Sequence, residues 1–217
     1  MKEMIVKITN QSLDVEILVN DLIKKEIVEK KLSAEKFLEI LNDEMNGDKN
    51  ARPIKIKFIE PEVIGFGTSG DGSREVYIIN QKEHKRYVTY SVGECNRAYS
   101  IHFPSSIYKV RVKNRRIESI EAFMYTEFKG KDTTLYKYAM ANMLSGNNIC
   151  IGNAERDVGE SIIDALEKII YAPYSHATLN NIKGFKSTET YFKYLSEHSI
   201  DVKYLYASGK TLGDLFN

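Results

Sequence analysis

The sequence has no tryptophan, and only two cysteines and four histidines among its 217 residues. Two cysteines, Cys95 and Cys150, cannot build a disulfide framework. Histidines this scattered and cysteines this far apart show no metal-ligand spacing, so no metal is expected. An excess of either charge is also missing. Thirty-one Lys and Arg face thirty Asp and Glu, for a net charge of +1, which argues against a general polyanion binder and makes nucleic acid an unlikely partner. Long hydrophobic runs are absent too. Stretches such as Ile149 to Ile151 and Ala122 to Tyr125 are too short to cross a bilayer, so no membrane partner is expected. The opening MKEMIVKITNQSLDVE has neither an apolar signal core nor a small-residue cleavage site. A reducing, cytoplasmic location is the resulting expectation. No internal repeat and no low-complexity linker divides the chain.

What is present is an ordinary globular mixture, 42% hydrophobic and 28% charged, long enough for one domain with or without an extension. The first residues alternate as strands: Met4, Val6 and Ile8 against Ile5, Lys7 and Thr9, then the β-rich Leu13 to Val19. Asn20 to Lys31 fits either a further strand or a helix. Ser33 is placed to cap a helix over about Ala34 to Met45, with Phe37, Leu38 and Leu41 on one face. Strand patterns follow at Ile54 to Phe58, Val63 to Phe66, Glu75 to Ile79, Tyr87 to Ser91, Ala98 to Phe103, Ile107 to Val112 and Ile117 to Tyr125. Lys113-Asn114-Arg115 is the expected tip of the last hairpin. Gly67 to Ser73 lacks the Gly-Lys-Ser/Thr ending of a phosphate loop and opens onto a strand, so a hairpin loop is expected there and no cofactor. Thr133 to Gly152 has no sustained period. Val158, Ile162, Ala165, Leu166, Ile169 and Ile170 then form a helical stripe ended before Pro173. Ser187 or Thr188 can cap a second helix with Phe192 and Leu195 inward, and Thr211 to Phe216 suits a final helical turn. The order predicts an α+β layer structure: an antiparallel β-meander flanked by an N-terminal helix and C-terminal helices. The expected divisions are an N-terminal strand extension over residues 1–32 and a single compact domain over residues 33–217.

Cys150 sits between a Gly/Asn-rich loop and a Gly-Asn step. Loop residues of that kind leave a thiol reachable, as thiol chemistry requires, although Ile149 and Ile151 also suit a small buried hydrophobe. Cys95 lies in Gly93-Glu94-Cys95-Asn96-Arg97 and reads as an incidental loop thiol. Asn142 lies eight positions before Cys150, where an amide can donate to an oxyanion at the sulfur or simply form a turn. His176 follows the first C-terminal helix and suits either a proton carrier near the loop or a structural histidine. Lys109 to Arg116 is the one concentrated basic stretch, and alternation sets Lys109 and Arg111 opposite Tyr108, Val110 and Val112. It reads as a solvated face or as a docking patch for an acidic protein or a phosphate backbone.

Asn142 to Ile151 resembles the active-site segment of ubiquitin-conjugating enzymes. There a His-Pro-Asn triplet precedes a Gly-containing turn and an Ile-Cys-Leu step, with the Asn eight residues before the Cys. A closer resemblance is to a bacterial branch of that superfamily, the PRTRC system protein B family. Four landmarks in order carry it: Asp132-Thr133-Thr134-Leu135-Tyr136, Asn142 to Gly152, Tyr171 to His176 and Thr211-Leu212-Gly213-Asp214-Leu215. Met140-Ala141 stand in place of His-Pro, and the tryptophan that eukaryotic members carry after the cysteine is missing. The resemblance implies a ubiquitin-conjugating-enzyme-like fold over about residues 60 to 217. It implies Cys150 as a thioester-forming nucleophile, Asn142 as an oxyanion donor and His176 as a further catalytic residue. The implied partners are a ThiF-type activating enzyme, a ubiquitin-like protein and a JAB-type peptidase, encoded in a mobile-element cassette. The alternative is a non-catalytic interaction module of the same cassette, with Cys150 as packing.

Overall fold

A computed structural model of the protein describes residues 2–8, 14–21, 26–33, 36–39, 60–92, 95–140, 142–174 and 181–216. The chain divides into two units, Met1–Phe58 and Ile59–Asn217. The boundary thus falls between residues 58 and 59, where sequence alone suggested 32 and 33.

In the first unit, β1 (Lys2–Ile8), β2 (Asp14–Asp21) and β3 (Glu26–Ser33) form an antiparallel sheet in chain order. Of the ambiguous segment, residues 20–21 end β2 and residues 26–31 belong to β3. Residues 36–39 are helical. The Ser33 hydroxyl accepts from the Lys36 amide at 3.2 Å, which is the capping expected from sequence. Phe37 is buried while Leu38 is 45% exposed, so these two do not share the apolar face predicted for them. Leu41 and the expected strand over residues 54–58 lie outside the described residues.

The second unit is α+β. Its main sheet is antiparallel, in the order β11-β10-β9-β8-β5-β4. The strands are β4 (Val63–Thr68), β5 (Arg74–Gln81), β8 (Ser106–Lys113), β9 (Arg116–Met124), β10 (Thr134–Lys137) and β11 (Ala207–Thr211). Between β5 and β8 the chain leaves this sheet as a separate ribbon, β6 (His84–Val92) paired with β7 (Cys95–Phe103). The expected simple meander is thus interrupted, because β5 pairs with β8. Alternation marks a strand but does not choose its partner. Here Val88, Ile101 and Phe103 of the ribbon are buried in the same cluster as the front face of the sheet, so leaving the ladder still buries their apolar side chains.

Helices complete that core. The first, α1 (Ile162–Ile170), is capped by the Ser161 hydroxyl, which accepts from the Asp164 amide at 3.0 Å. It buries Ile162, Ala165, Leu166, Ile169 and Ile170. The second, α2 (Thr188–Glu197), starts with a reciprocal Ser187–Thr190 capping box and buries Phe192 and Leu195. Among the described residues no helix is long and apolar enough to cross a membrane.

The other face of the sheet is partly closed by the chain's end. Leu212 and Leu215, in a 3-10 turn over Leu212–Phe216, pack with Ile78, Ile107, Phe123 and Leu135. The Leu212 amide donates to the Thr133 carbonyl at 2.9 Å and the Gly213 amide to the Lys131 carbonyl at 2.8 Å. Two landmarks far apart in sequence, Asp132 to Tyr136 and Thr211 to Leu215, are therefore hydrogen-bonded neighbours. Gly65 is the residue that admits Phe216: a Cβ there would lie 2.5 Å from the Phe216 ring.

Candidate active site

The loop that carries Cys150 is closed on itself. The Cys150 amide donates to the Asn142 carbonyl at 2.7 Å, and the Leu144 amide to the Asn148 carbonyl at 2.7 Å. Met143 and Ile149 form the antiparallel bridge between these bonds. Asn142 (φ 61°), Gly146 (φ 69°) and Asn147 (φ 64°) take the left-handed backbone that reverses the chain. Asn and Gly tolerate that region best, so the Gly/Asn composition and the sharp loop have one cause. The Asn148 side chain donates to the Ser145 carbonyl at 3.2 Å.

The loop is fastened to the edge of β9. Ile149 donates to the Ile120 carbonyl at 2.9 Å, and Asn148 bridges Glu121. Ile149 is buried in the front core, whereas Cys150 is a free thiol of intermediate exposure. It lines an open cavity of about 440 Å3 with Glu118, Ser119, Leu144, Asn148 and Arg156. Leu144, at the loop's rim, is 56% exposed. The Arg156 guanidinium donates to the Gly152 carbonyl at 3.2 Å.

The helical stripe read from Val158 is helix only from Ile162 onward. Between Cys150 and that helix the chain first returns to the β8–β9 hairpin. Ile117 donates to the Arg156 carbonyl and Val158 to the Arg115 carbonyl, both at 2.9 Å. The hairpin tip expected at Lys113-Asn114-Arg115 is a two-residue turn of Asn114 (φ 49°) and Arg115 (φ 63°), with Lys113 still in β8.

Asn142 is 9% exposed, and its side-chain amide donates to the Pro173 carbonyl at 3.3 Å. It therefore joins the loop to the segment that follows α1. His176 lies outside the described residues, as does the Cys95 side chain. Of the remaining histidines, His102 meets Glu83 at 3.3 Å. His84 joins a partly buried chain of polar groups. Tyr108 donates to Gln81 at 3.1 Å, the Gln81 amide donates to the Tyr171 hydroxyl at 2.8 Å, and His84 Nε2 lies 3.0 Å from that hydroxyl. Burial pushes the Tyr171 hydroxyl up to about 12. These tyrosines hold the ribbon to the sheet and lie outside the Cys150 cavity.

Sequence reasoning missed Arg156, Glu118 and Ser119 as neighbours of the thiol. Only the pairing of β9 with residues 148–158 reveals them. Among the described residues no group of His, Cys, Asp or Glu is arranged to hold a metal ion. A larger cavity of about 500 Å3 lies beside α1, lined by Arg86, Asp164, Glu167 and Tyr171 among others. It contains no thiol, and Arg86 is stacked on the Tyr171 ring within it. No family model, curated protein or solved structure matches this chain.

Proposed function

We propose that the protein is a carrier and conjugating enzyme for a ubiquitin-like protein, built on a ubiquitin-conjugating-enzyme-like fold of the PRTRC system protein B type. The observation that carries this reading is the closed 142–150 loop, which presents a partly exposed thiol to an open cavity at a sheet edge. In the loading step the Cys150 thiolate attacks the carbonyl carbon of a thioester on a ThiF-type activating enzyme. A new C–S bond forms, the old one breaks, and the donor cysteine leaves as thiolate. In the discharge step an amine attacks the Cys150 thioester. A C–N bond forms, Cys150 leaves, and the amine's proton passes to a base, a role assigned here to His176. Asn142 steadies the tetrahedral oxyanion in this scheme, directly or by holding the loop. A JAB-type peptidase would reverse the conjugation.

The test is incubation of the full chain with its activating enzyme, a ubiquitin-like protein and ATP, followed by non-reducing electrophoresis. A reducible adduct on Cys150 supports the reading. Its absence under conditions where the activating enzyme is itself charged refutes it. One observation favours a second reading, a non-catalytic interaction module: the Asn142 amide is bound to the Pro173 carbonyl. That reading predicts partner binding without an adduct.

A further inference from the structure

Register sorts the charges of the main sheet by face. Directly opposed residues of an antiparallel ladder share a face, and successive residues alternate. Across β5, β8 and β9 the front rows are Glu75–Val112–Ile117, Tyr77–Val110–Ile120, Ile79–Tyr108–Ala122 and Gln81–Ser106–Met124. They hold no cation. The back rows are Arg74–Lys113–Arg116, Val76–Arg111–Ser119, Ile78–Lys109–Glu121 and Asn80–Ile107–Phe123. Those twelve positions hold five cations and one carboxylate. A chain of net charge +1 thus concentrates positive charge on one face.

Arg74, Lys113 and Arg116 are all exposed and stand in a single row. Neighbours in such a row are about 5 Å apart, and like charges directly opposed destabilise a sheet. Arg116 meets Asp157 at 3.4 Å. Among the described residues, no carboxylate forms an ion pair with Arg74 or Lys113. In the next rows Arg111 reaches Glu121 at 3.5 Å, and Lys109 donates to the Leu215 carbonyl at 2.7 Å. Burial, then the Arg111 charge, holds the Lys109 amine below its ordinary range.

Cys150 belongs to this face. Asn148 is bridged to Glu121 of a back row, and the next residue, Ile149, turns into the front core. Alternation returns Cys150 to the side of Asn148, and it shares its cavity with Ser119 of the Arg111 row. Two strand spacings, about 10 Å, separate the backbones of Arg111 and Cys150.

We propose that the basic back rows dock the acidic face of a partner protein and bring that partner to Cys150. Charge complementarity selects the occupant. Protein carboxylates fit better than a nucleic acid, because the Arg74 and Arg111 rows hold no aromatic on which a base could stack. These rows stand on the face of a six-stranded sheet, not on a helix or two-stranded ribbon that fits the major groove. Near-zero net charge gives no long-range pull on a polyanion, so a local patch of matched carboxylates is what these rows recognise. The docking surface stands independently of the thioester chemistry.

The experiment uses the full chain and three labelled probes: a glutamate-rich peptide ending in a chloroacetyl group, its glutamine counterpart, and a short DNA duplex. The acidic peptide should alkylate Cys150 about tenfold faster than the neutral one at low salt, and high salt should erase the difference. Joint Arg74→Glu, Lys113→Glu and Arg116→Glu substitution should abolish that preference while free iodoacetamide labels Cys150 at the unchanged rate. Neutralisation of the same three residues to Gln, which introduces no new charge, should remove most of it. Equal labelling by both peptides overturns the proposal. Tighter binding of the duplex, lost in the same variants, also overturns it in favour of a phosphate ligand. Guided labelling of a protein that never forms a thioester would leave the docking surface standing and refute only the transferase reading.

Discussion

Asn142 and Cys150, eight residues apart in the chain, are hydrogen-bonded partners: the Cys150 amide donates to the Asn142 carbonyl at 2.7 Å. The spacing that marks this pair in the sequence is therefore the register of a closed loop. The backbone bond fixes where the thiol emerges, and the Asn142 side chain, bound to Pro173, fixes the loop against the end of α1. Replacing either residue acts on the same small structure.

Cys150→Ser should give a stable oxyester or no adduct in the charging assay, since an alkoxide is harder to generate and a poorer leaving group than a thiolate. Cys95→Ser should charge like the parent protein. Loss of the adduct in Cys95→Ala together with its survival in Cys150→Ala would move the chemistry to the other thiol.

Asn142→Ala should slow discharge to an amine more than loading, by about tenfold to a hundredfold. It should also cost about 1–2 kcal/mol of stability, because alanine is strained at φ 61°. Asn142→Gly relieves that strain without restoring the amide. Single-turnover discharge that recovers in the Gly variant would assign Asn142 a purely conformational role, and equal slowing in both would assign the effect to the amide.

Leu215→Ala should destabilise the protein by about 2–4 kcal/mol, read as a lower denaturant midpoint. Leu215 is 3% exposed against the back of the sheet, and its removal leaves a cavity beneath the chain's last turn. An unchanged midpoint would show that the terminal Thr-Leu-Gly-Asp-Leu segment contributes nothing to the fold.

Asp71 should tune acid stability. Its carboxylate accepts from the Ser69 hydroxyl at 2.6 Å and from the Ser73 amide at 3.1 Å, and these bonds hold it at about 2, against an ordinary 3.8. A lowered folded value means the stabilisation is complete above the ordinary value and is lost as pH falls through about 4 towards 2. Unfolding midpoints of Asp71→Asn and the parent protein, measured across that range, should converge as the pH falls. A constant difference would place the effect elsewhere.

Local features were legible in the sequence wherever a short-range cause fixed them. Ser33, Ser187 and the Asn114-Arg115 turn declare themselves, because capping and hairpin reversal depend on residues within one turn. The alternation of Lys109 and Arg111 against Tyr108, Val110 and Val112 did as well, since the period of a strand is two. The short strands β10 and β11 were not legible. Each is only four or five residues long and is defined by its partner more than by its own pattern.

The sequence by itself determined the α+β class, the Ser33 and Ser187 caps and the Gly/Asn composition of the loop before Cys150, because φ preferences, capping and periodicity act between near neighbours. Only the tertiary structure decided that β5 pairs with β8, that Arg156 and Ser119 border the thiol, and that Arg74, Lys113 and Arg116 form one row on the face of Cys150. Those relations depend on which strands share a ladder and in what register. The chain settles that by burying Val88, Ile101, Ile149 and Leu215 together with distant partners, a choice that no local pattern encodes.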